Sequence, residues 1–318
     1  MQLYNTLSTK ERADLIDKAG VDRITLSFYT YAKIEDPRKF RDELFLKWNS
    51  LDVLGRIYVA FEGINAQLSL PAIKLDEFKS FLDTYPFMKD IRLNIAIEQA
   101  DKSFLKLTIK VRNKIVADGL NDSTFDPSNY GTHLNANDFN KMMDDPDVVV
   151  VDMRNHYESE IGHFIGAITP QVETFRESLP IIHDELAAHK NDKKILMYCT
   201  GGIRCEKASA YFKHRGFKQV YQLEGGIINY ARQIKSLGLS SKFIGKNFVF
   251  DNRLGERITS DVIAHCHQCG TSCDTHTNCK NDTCHKLFIQ CEACAAAMQG
   301  CCCEACMKVN ADRFSHTS

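Results

Sequence analysis

The stretch KKILMYCTGGIRCEKASAYFKHRGF (193–217) sets an apolar run, a glycine turn and a helical pattern end to end. KKILMYC (193–199) reads as a strand buried on both faces. CEKASAYFKHRGF (205–217) places Ala208, Tyr211 and Phe212 on one helical face and stops at Gly216. Strand, turn and helix in this order build open parallel sheets, which bind ligands at the carboxyl ends of their strands. The turn therefore sits where a ligand is expected.

Working outward, VVVVDMR (148–154) is a second buried strand, GHFIGA (162–167) a turn, residues 174–189 a helix, and QVYQLEGG (219–226) a third strand. Strands alternating with helices predict a parallel α/β domain over 136–239. Upstream, RITLSFYTY (23–31), a helix over 37–55 ending at Gly55, strands within 56–70 broken near Gly63, a helix over 71–85, and strands at 91–97 and 104–112 follow in turn. That β-α-β-β-α-β order predicts a ferredoxin-like domain over 1–115. Residues 116–135 are polar and turn-rich and read as a linker. Residues 240–318 have few apolar residues, so a metal or a neighbour must hold them.

The turn itself carries chemistry. Cys199 ends the strand, and Thr200, Gly201, Gly202, Ile203 and Arg204 lead into the helix. Glycines let successive N–H groups point inward, and a helix start adds its free N–H groups and positive dipole end. With Arg204 they form an electropositive cup, which lowers a thiol pKa to roughly 3.5–7.5. Cys199 is the expected thiolate nucleophile. Cys205, in the helix's first turn, is a second candidate thiolate, able to resolve an oxidised Cys199 through a disulfide or else simply to pack there. Four residues separate Cys199 from Arg204. That is one fewer than in cysteine phosphatases, so the loop suits a smaller anion such as a persulfide.

Thirteen cysteines are present, and all except Cys199 and Cys205 lie between 266 and 306. CHQC (266–269) and CEAC (291–294) offer Cys266, Cys269, Cys291 and Cys294 to one tetrahedral zinc. Cys273, Cys279 and Cys284 lie between these pairs, with His276 and His285 nearby, as a candidate second set. CCCEAC (301–306) is a weaker candidate, since adjacent cysteines rarely all bind one metal. An iron–sulfur cluster is the rival to zinc, but no established cluster spacing is present.

The 40 basic and 41 acidic residues leave a net charge of −1. No segment is basic overall, so bulk charge does not announce a nucleic acid. The N-terminus lacks a signal-peptide pattern, and no apolar run reaches the roughly 20 residues of a membrane helix. A cytoplasmic protein with no membrane partner and no evident obligate protein partner is expected.

VVVVDMRNHYESEIGHFIGAI (148–168), YCTGGIRCEKASAYF (198–212) and VYQLEGGI (220–227) resemble a rhodanese domain. In that family the loop cysteine, here Cys199, carries sulfane sulfur. Asp152, Arg154, Gly162, His163, Gly166 and Ala167 match positions that are mainly structural there. With YVAFEGINAQLS (58–69) and the cysteine-rich tail, almost the whole chain resembles the bacterial rhodanese-related tRNA uridine hydroxylases. The resemblance implies oxygen-dependent hydroxylation of the wobble uridine at ring position five, with dioxygen as co-substrate and a tRNA anticodon arm as partner. It names no electron donor, and the sequence carries no flavin, nicotinamide or facial-triad iron fingerprint. A persulfide sulfurtransferase and a zinc-held, non-catalytic tRNA-binding adaptor are the alternatives. If tRNA is the substrate, the base must be flipped toward Cys199. Arg56, Lys106, Lys110 and Arg112 are then expected to face the same cleft, the last three on one face of their strand.

Overall fold

This computed structural model describes residues 3, 5–122 and 124–315. After α1 (Thr9–Ala19), the chain runs β1 (Arg23–Tyr31), α2 (Pro37–Ser50), β2 (Leu54–Ala60), β3 (Gly63–Pro71), α3 (Leu75–Leu82), β4 (Asn94–Ile95) and β5 (Leu107–Val111). These strands form one sheet in the order β4-β1-β3-β2-β5. The first four are the ferredoxin-like set, and β5 adds to the outer edge parallel to β2. Alternation sends Leu26, Phe28, Ile57, Val59, Ile64, Ala66 and Leu68 into a core with Trp48 and Phe78 of the covering helices. The opposite sheet face is polar, and it is this face that meets the rest of the protein.

Two expected boundaries move. The helix expected to reach Gly55 ends at Ser50, because Asp52 turns the chain at φ 55°. Gly55 lies instead in β2, where a Cβ would stand 2.4 Å from the Gln67 carbonyl oxygen. The strand expected over 91–97 pairs only at Asn94–Ile95. Beyond it Ala96 N–H still donates to the Thr25 carbonyl of β1 at 2.9 Å, but the chain then turns toward the C-terminal segment, where the Ile97 N–H donates to Glu256 at 3.0 Å.

Next come β6 (Thr132–Leu134), α4 (Ala136–Met143), β7 (Val148–Asp152), α5 (His156–Glu160), β8 (Gly162–Phe164), α6 (Phe175–Leu186), β9 (Lys194–Tyr198), α7 (Ile203–His214), β10 (Gln219–Leu223) and α8 (Gly226–Leu237). The parallel sheet has the order β6-β10-β9-β7. Ile195 and Met197 of β9 pack toward α6 and α7, while Leu196 and Tyr198 pack toward α4 and α8. Both faces are covered, so β7 and β9 read as unbroken apolar runs.

The stretch read as a linker is tied down. Residues 132–134 supply the edge strand β6. Asp118 is buried against Lys207 at 2.6 Å, and Lys207 also binds Glu62 at 2.8 Å. A buried ammonium requires such partners, and here they come from two separate segments. Nor is α7 amphipathic as expected: Arg204 through Phe212 are all buried. One side of α7 meets its own sheet, and the other is covered by the N-terminal domain.

The rest of the chain comprises β11 (Phe243–Asn247), β12 (Glu256–Arg257), β13 (His276–Asn278), β14 (Leu287–Ile289), α9 (Glu292–Ala297) and α10 (Glu304–Ser315). β11 pairs with both β8 and β12, which fastens this segment to the parallel-sheet domain. No helix among the described residues is long and apolar enough to cross a membrane.

Candidate active site and metal centres

β9 delivers Cys199 to the carboxyl edge of the sheet, and its side chain is wholly buried. The loop then closes back on α8: Ile227 N–H donates to the Cys199 carbonyl at 3.0 Å and Ile228 N–H to that of Thr200 at 3.2 Å. Gly202 takes φ 101°, and its N–H donates to the Cys199 sulfur at 3.2 Å. A Cβ on Gly202 would stand 2.8 Å from the Tyr29 hydroxyl, so this turn accepts only glycine beneath the N-terminal sheet.

Burial alone would push the Cys199 thiol up. A hydrogen bond from the Cys205 thiol, the charge of Arg204 and the N–H groups of Cys205 and Gly202 outweigh it and bring it down to about 6. Cys199 is thus a thiolate at neutral pH. Cys205 departs from expectation. Burial, together with the neighbouring Cys199 sulfur, holds its thiol well above the ordinary range. Two thiolates side by side in a buried site would repel, so Cys205 stays protonated and serves as a donor.

Arg204 also differs from the simple cup. Its guanidinium grips Glu158 at 2.6 and 2.8 Å, and both side chains are buried. Thr200 Oγ1 completes the arrangement by donating to Glu158 at 3.2 Å. Glu158 went unforeseen: its sequence signal, Asn-x-x-Glu at 155–158, marks only the capping box that starts α5. Asp152 and Arg154 serve the scaffold, paired at 2.6 Å and fully buried, with Tyr198 donating to Asp152 at 2.8 Å.

Arg204→Ala is expected to strand the Glu158 carboxylate and destabilise the fold by about 3–5 kcal/mol. It should also raise the Cys199 pKa above 6, since a cation that favours the thiolate is gone. Denaturant unfolding reads the first effect and the pH dependence of thiol alkylation the second. The double variant Arg204→Met/Glu158→Gln should recover most of the stability but not the low pKa.

Over the loop lies a cavity of about 300 Å³. Its floor is Cys199, Thr200, Gly201, Ile203 and Arg204, and its roof is the polar face of the N-terminal sheet. Two cross-strand rows make the roof: Ser27–Gln67–Arg56 and Tyr29–Asn65–Tyr58. Phe250 closes one side, with the Arg204 guanidinium 5.8 Å from its ring centre. The roof is pinned by Tyr31, which donates to the Ile203 carbonyl at 3.2 Å, and by Asn94, which donates to that of Gly201 at 3.3 Å.

Of the four basic residues expected in the cleft, Arg56 lines this cavity. Lys106 lines an adjoining groove of about 700 Å³, which Arg56 and Phe250 also border. Lys110 and Arg112 line neither space, although Arg112 lies over the Tyr58 ring at 5.6 Å. Lys110 is level with Tyr58 but on the edge strand β5, one strand farther across the sheet from the loop, and Arg112 follows the end of that strand.

The cysteine-rich segment gathers two sets of four sulfurs, each within 4.8 Å of one another. One is Cys266, Cys269, Cys291 and Cys294, the set expected. The other is Cys279, Cys284, Cys302 and Cys306. Cys273 is not in it; its side chain packs with Ile161 and Phe248 in an apolar cluster. Two cysteines of the discounted CCCEAC run take its place, because the start of α10 turns Cys302 and Cys306 to one side. Sulfur separations of 3.6 Å (Cys269–Cys291) and 3.7 Å (Cys284–Cys302) are far beyond a disulfide. They match the roughly 3.8 Å edge of a tetrahedron with metal–sulfur bonds of about 2.3 Å. Backbone N–H groups of Cys291 and Cys302 donate to Cys266 and Cys279 sulfurs at 3.4 Å, as suits thiolate ligands. His276 and His285 belong to neither set.

The family models described as UPF0176 acylphosphatase like domain, Rhodanese-like domain and Rhodanase C-terminal match residues 23–115, 135–233 and 244–307. Proteins named tRNA uridine(34) hydroxylase from Yersinia pestis (strain Pestoides F) and Yersinia pseudotuberculosis serotype O:3 are 57% identical over 307 residues. One from Pectobacterium carotovorum is 57% identical over 306 residues. Each alignment covers 96% of this chain and 86% of the relative. A buried cysteine loop, a sheet closed over it and two cysteine sets thus occur in a chain that matches these relatives along nearly its whole length: it belongs to the tRNA uridine(34) hydroxylase family.

Proposed function

We propose that the protein hydroxylates the wobble uridine of tRNA at ring position five with Cys199 as the reactive group: one atom of dioxygen replaces the C5 hydrogen and the other leaves as water, the two electrons and two protons coming from an external two-electron reductant. The observation that carries this reading is the 300 Å³ cavity between the Cys199 loop and the polar sheet face. A space of that size takes one flipped nucleoside and excludes a duplex. Anticodon-loop bases are single-stranded and can be splayed out into such a pocket. The Tyr58 and Phe250 rings offer stacking surfaces, and Arg56, which makes no ion pair among the described residues, offers a charge for the flanking phosphate. Cys199 acts as the thiolate under the base, held charged by Cys205, Arg204 and the loop N–H groups. The two cysteine sets are read as structural zinc, whose ligand chemistry their sulfurs suit. A cytoplasmic enzyme acting on the anticodon arm follows from this reading.

The test is mass spectrometry of tRNA nucleosides from a strain lacking the gene. Wobble 5-hydroxyuridine and its alkoxylated derivatives should fall. Their persistence, with loss of thiolated nucleosides instead, would favour the sulfurtransferase. The binding surface has its own test. Charge reversal of Arg56 and Lys106 together should weaken tRNA binding about tenfold or more at low salt and shallow its salt dependence by about two phosphate contacts. Reversal of Lys110 and Arg112 should do less, since both lie outside the cavity and groove. Gel-shift titrations across salt concentrations measure both.

A further inference from the structure

The roof of the cavity holds polar groups that the rest of the protein leaves alone. Among the described residues the Gln67 carboxamide makes no hydrogen bond, although it is half-buried and lines the half-open cavity over the Cys199 loop. Asn65, two residues along the same strand and on the same face, uses only its amide nitrogen, which donates to the Ile115 carbonyl at 3.5 Å. By contrast, Tyr29 in the same roof is committed to Glu206 at 3.0 Å. Elsewhere at the domain interface, polar side chains such as Lys207, Asn94 and Tyr31 all have partners. Half-buried carboxamides kept free over a reactive centre are groups reserved for a ligand.

We infer that Asn65 and Gln67 read the Watson–Crick edge of the base and set the preference for uridine over cytidine. The inference rests on the hydroxylase reading of this cavity. Tethering the Asn65 nitrogen to Ile115 leaves its oxygen, an acceptor, to face the cavity. Uracil offers N3–H to such an acceptor; cytosine offers an N3 lone pair, which repels it. Gln67 has both a donor and an acceptor free. Its NH2 group donates to a uracil carbonyl oxygen, where cytosine would present N4–H2 beside its acceptor N3. An edge held by the roof leaves the opposite C5–C6 edge toward the floor, where Cys199 lies. Reading and reaction then occur on opposite sides of one ring. A site built to bond both groups rejects a base that leaves them unpaired.

The experiment complements a gene-deletion strain with wild-type, Gln67→Ala, Gln67→Glu and Asn65→Ala proteins, each alongside plasmid-borne tRNA carrying U or C at the wobble position. Mass spectrometry reads 5-hydroxyuridine and 5-hydroxycytidine. Gln67→Ala and Asn65→Ala should each lower hydroxylation of the U tRNA about tenfold to a hundredfold. Gln67→Glu, an acceptor only, should raise the ratio of C to U product above wild type. Thermal unfolding and the Cys199 alkylation rate should stay at wild-type values, which shows the loop intact. Active variants with an unchanged C-to-U ratio overturn this inference alone. A wild-type protein that hydroxylates neither tRNA overturns the function on which it rests.

Discussion

Cys199→Ala is expected to cut 5-hydroxyuridine formation by roughly a thousandfold or more, as loss of a reacting nucleophile does, while the protein stays folded. The sulfur is wholly buried at the base of the cavity and is the thiolate there, brought down to about 6. Nothing else in the loop can replace it, because Cys205 is held protonated. Yet the loop does not depend on the sulfur for its shape. Its carbonyls are taken by Ile227, Ile228, Tyr31 and Asn94, and its arginine by Glu158. The lost atom leaves a gap smaller than a methyl-rich core deletion, so a cost near 1 kcal/mol is expected. Nucleoside mass spectrometry of a complemented deletion strain checks activity, and thermal unfolding checks the fold. Cys199→Ser should be as inactive, since a hydroxyl is not ionised near neutral pH. Turnover near wild type in either variant would remove Cys199 from the chemistry.

Metal loss should have the second large effect. Along the chain the two cysteine sets alternate: Cys266 and Cys269, then Cys279 and Cys284, then Cys291 and Cys294, then Cys302 and Cys306. First and third pairs make one site, second and fourth the other, so each site's connecting loop carries half of its neighbour. The apolar core beneath them is small, centred on Cys279, Phe288 and Cys301. Zinc held by four thiolates contributes about 10–16 kcal/mol of apparent binding energy, against a typical domain stability of about 5–15 kcal/mol. Two zinc ions per chain are therefore expected by elemental analysis. Cys266→Ser or Cys279→Ser should each release both metals and expose residues from about 264 onward to proteolysis. Iron, no metal, or loss of only one site's order would contradict this. Activity should fall too, because Phe250 both walls the cavity and leads into this segment.

Much of this was legible locally. The strand, turn and helix around Cys199 are contiguous, and so is the helix start that supplies the N–H groups. The strand order of the N-terminal domain follows from period-two and helical patterns that lie within a few residues. What escaped was carried by distant residues. Glu158 lies 46 positions from Arg204, and nothing in its own surroundings names a cation partner. The polar face of β1, β2 and β3 reads as a solvated surface, because alternation says which residues face away from the core but not what covers them. Asp118 sits in a stretch composed like a loop and is buried only because Lys207 needs a counter-charge. Cys302 and Cys306 looked too crowded to ligate, and only the turn at the start of α10 separates them from Cys303.

The central claim is that this cavity inserts oxygen from dioxygen into the wobble uridine. The most direct measurement grows the wild-type strain under isotopically heavy dioxygen and weighs the 5-hydroxyuridine released from its tRNA, with the Cys199→Ala strain alongside. The account predicts product heavier by one oxygen isotope in the wild type and none above background in the variant. Light product formed under heavy dioxygen, or heavy product that persists without Cys199, would contradict it.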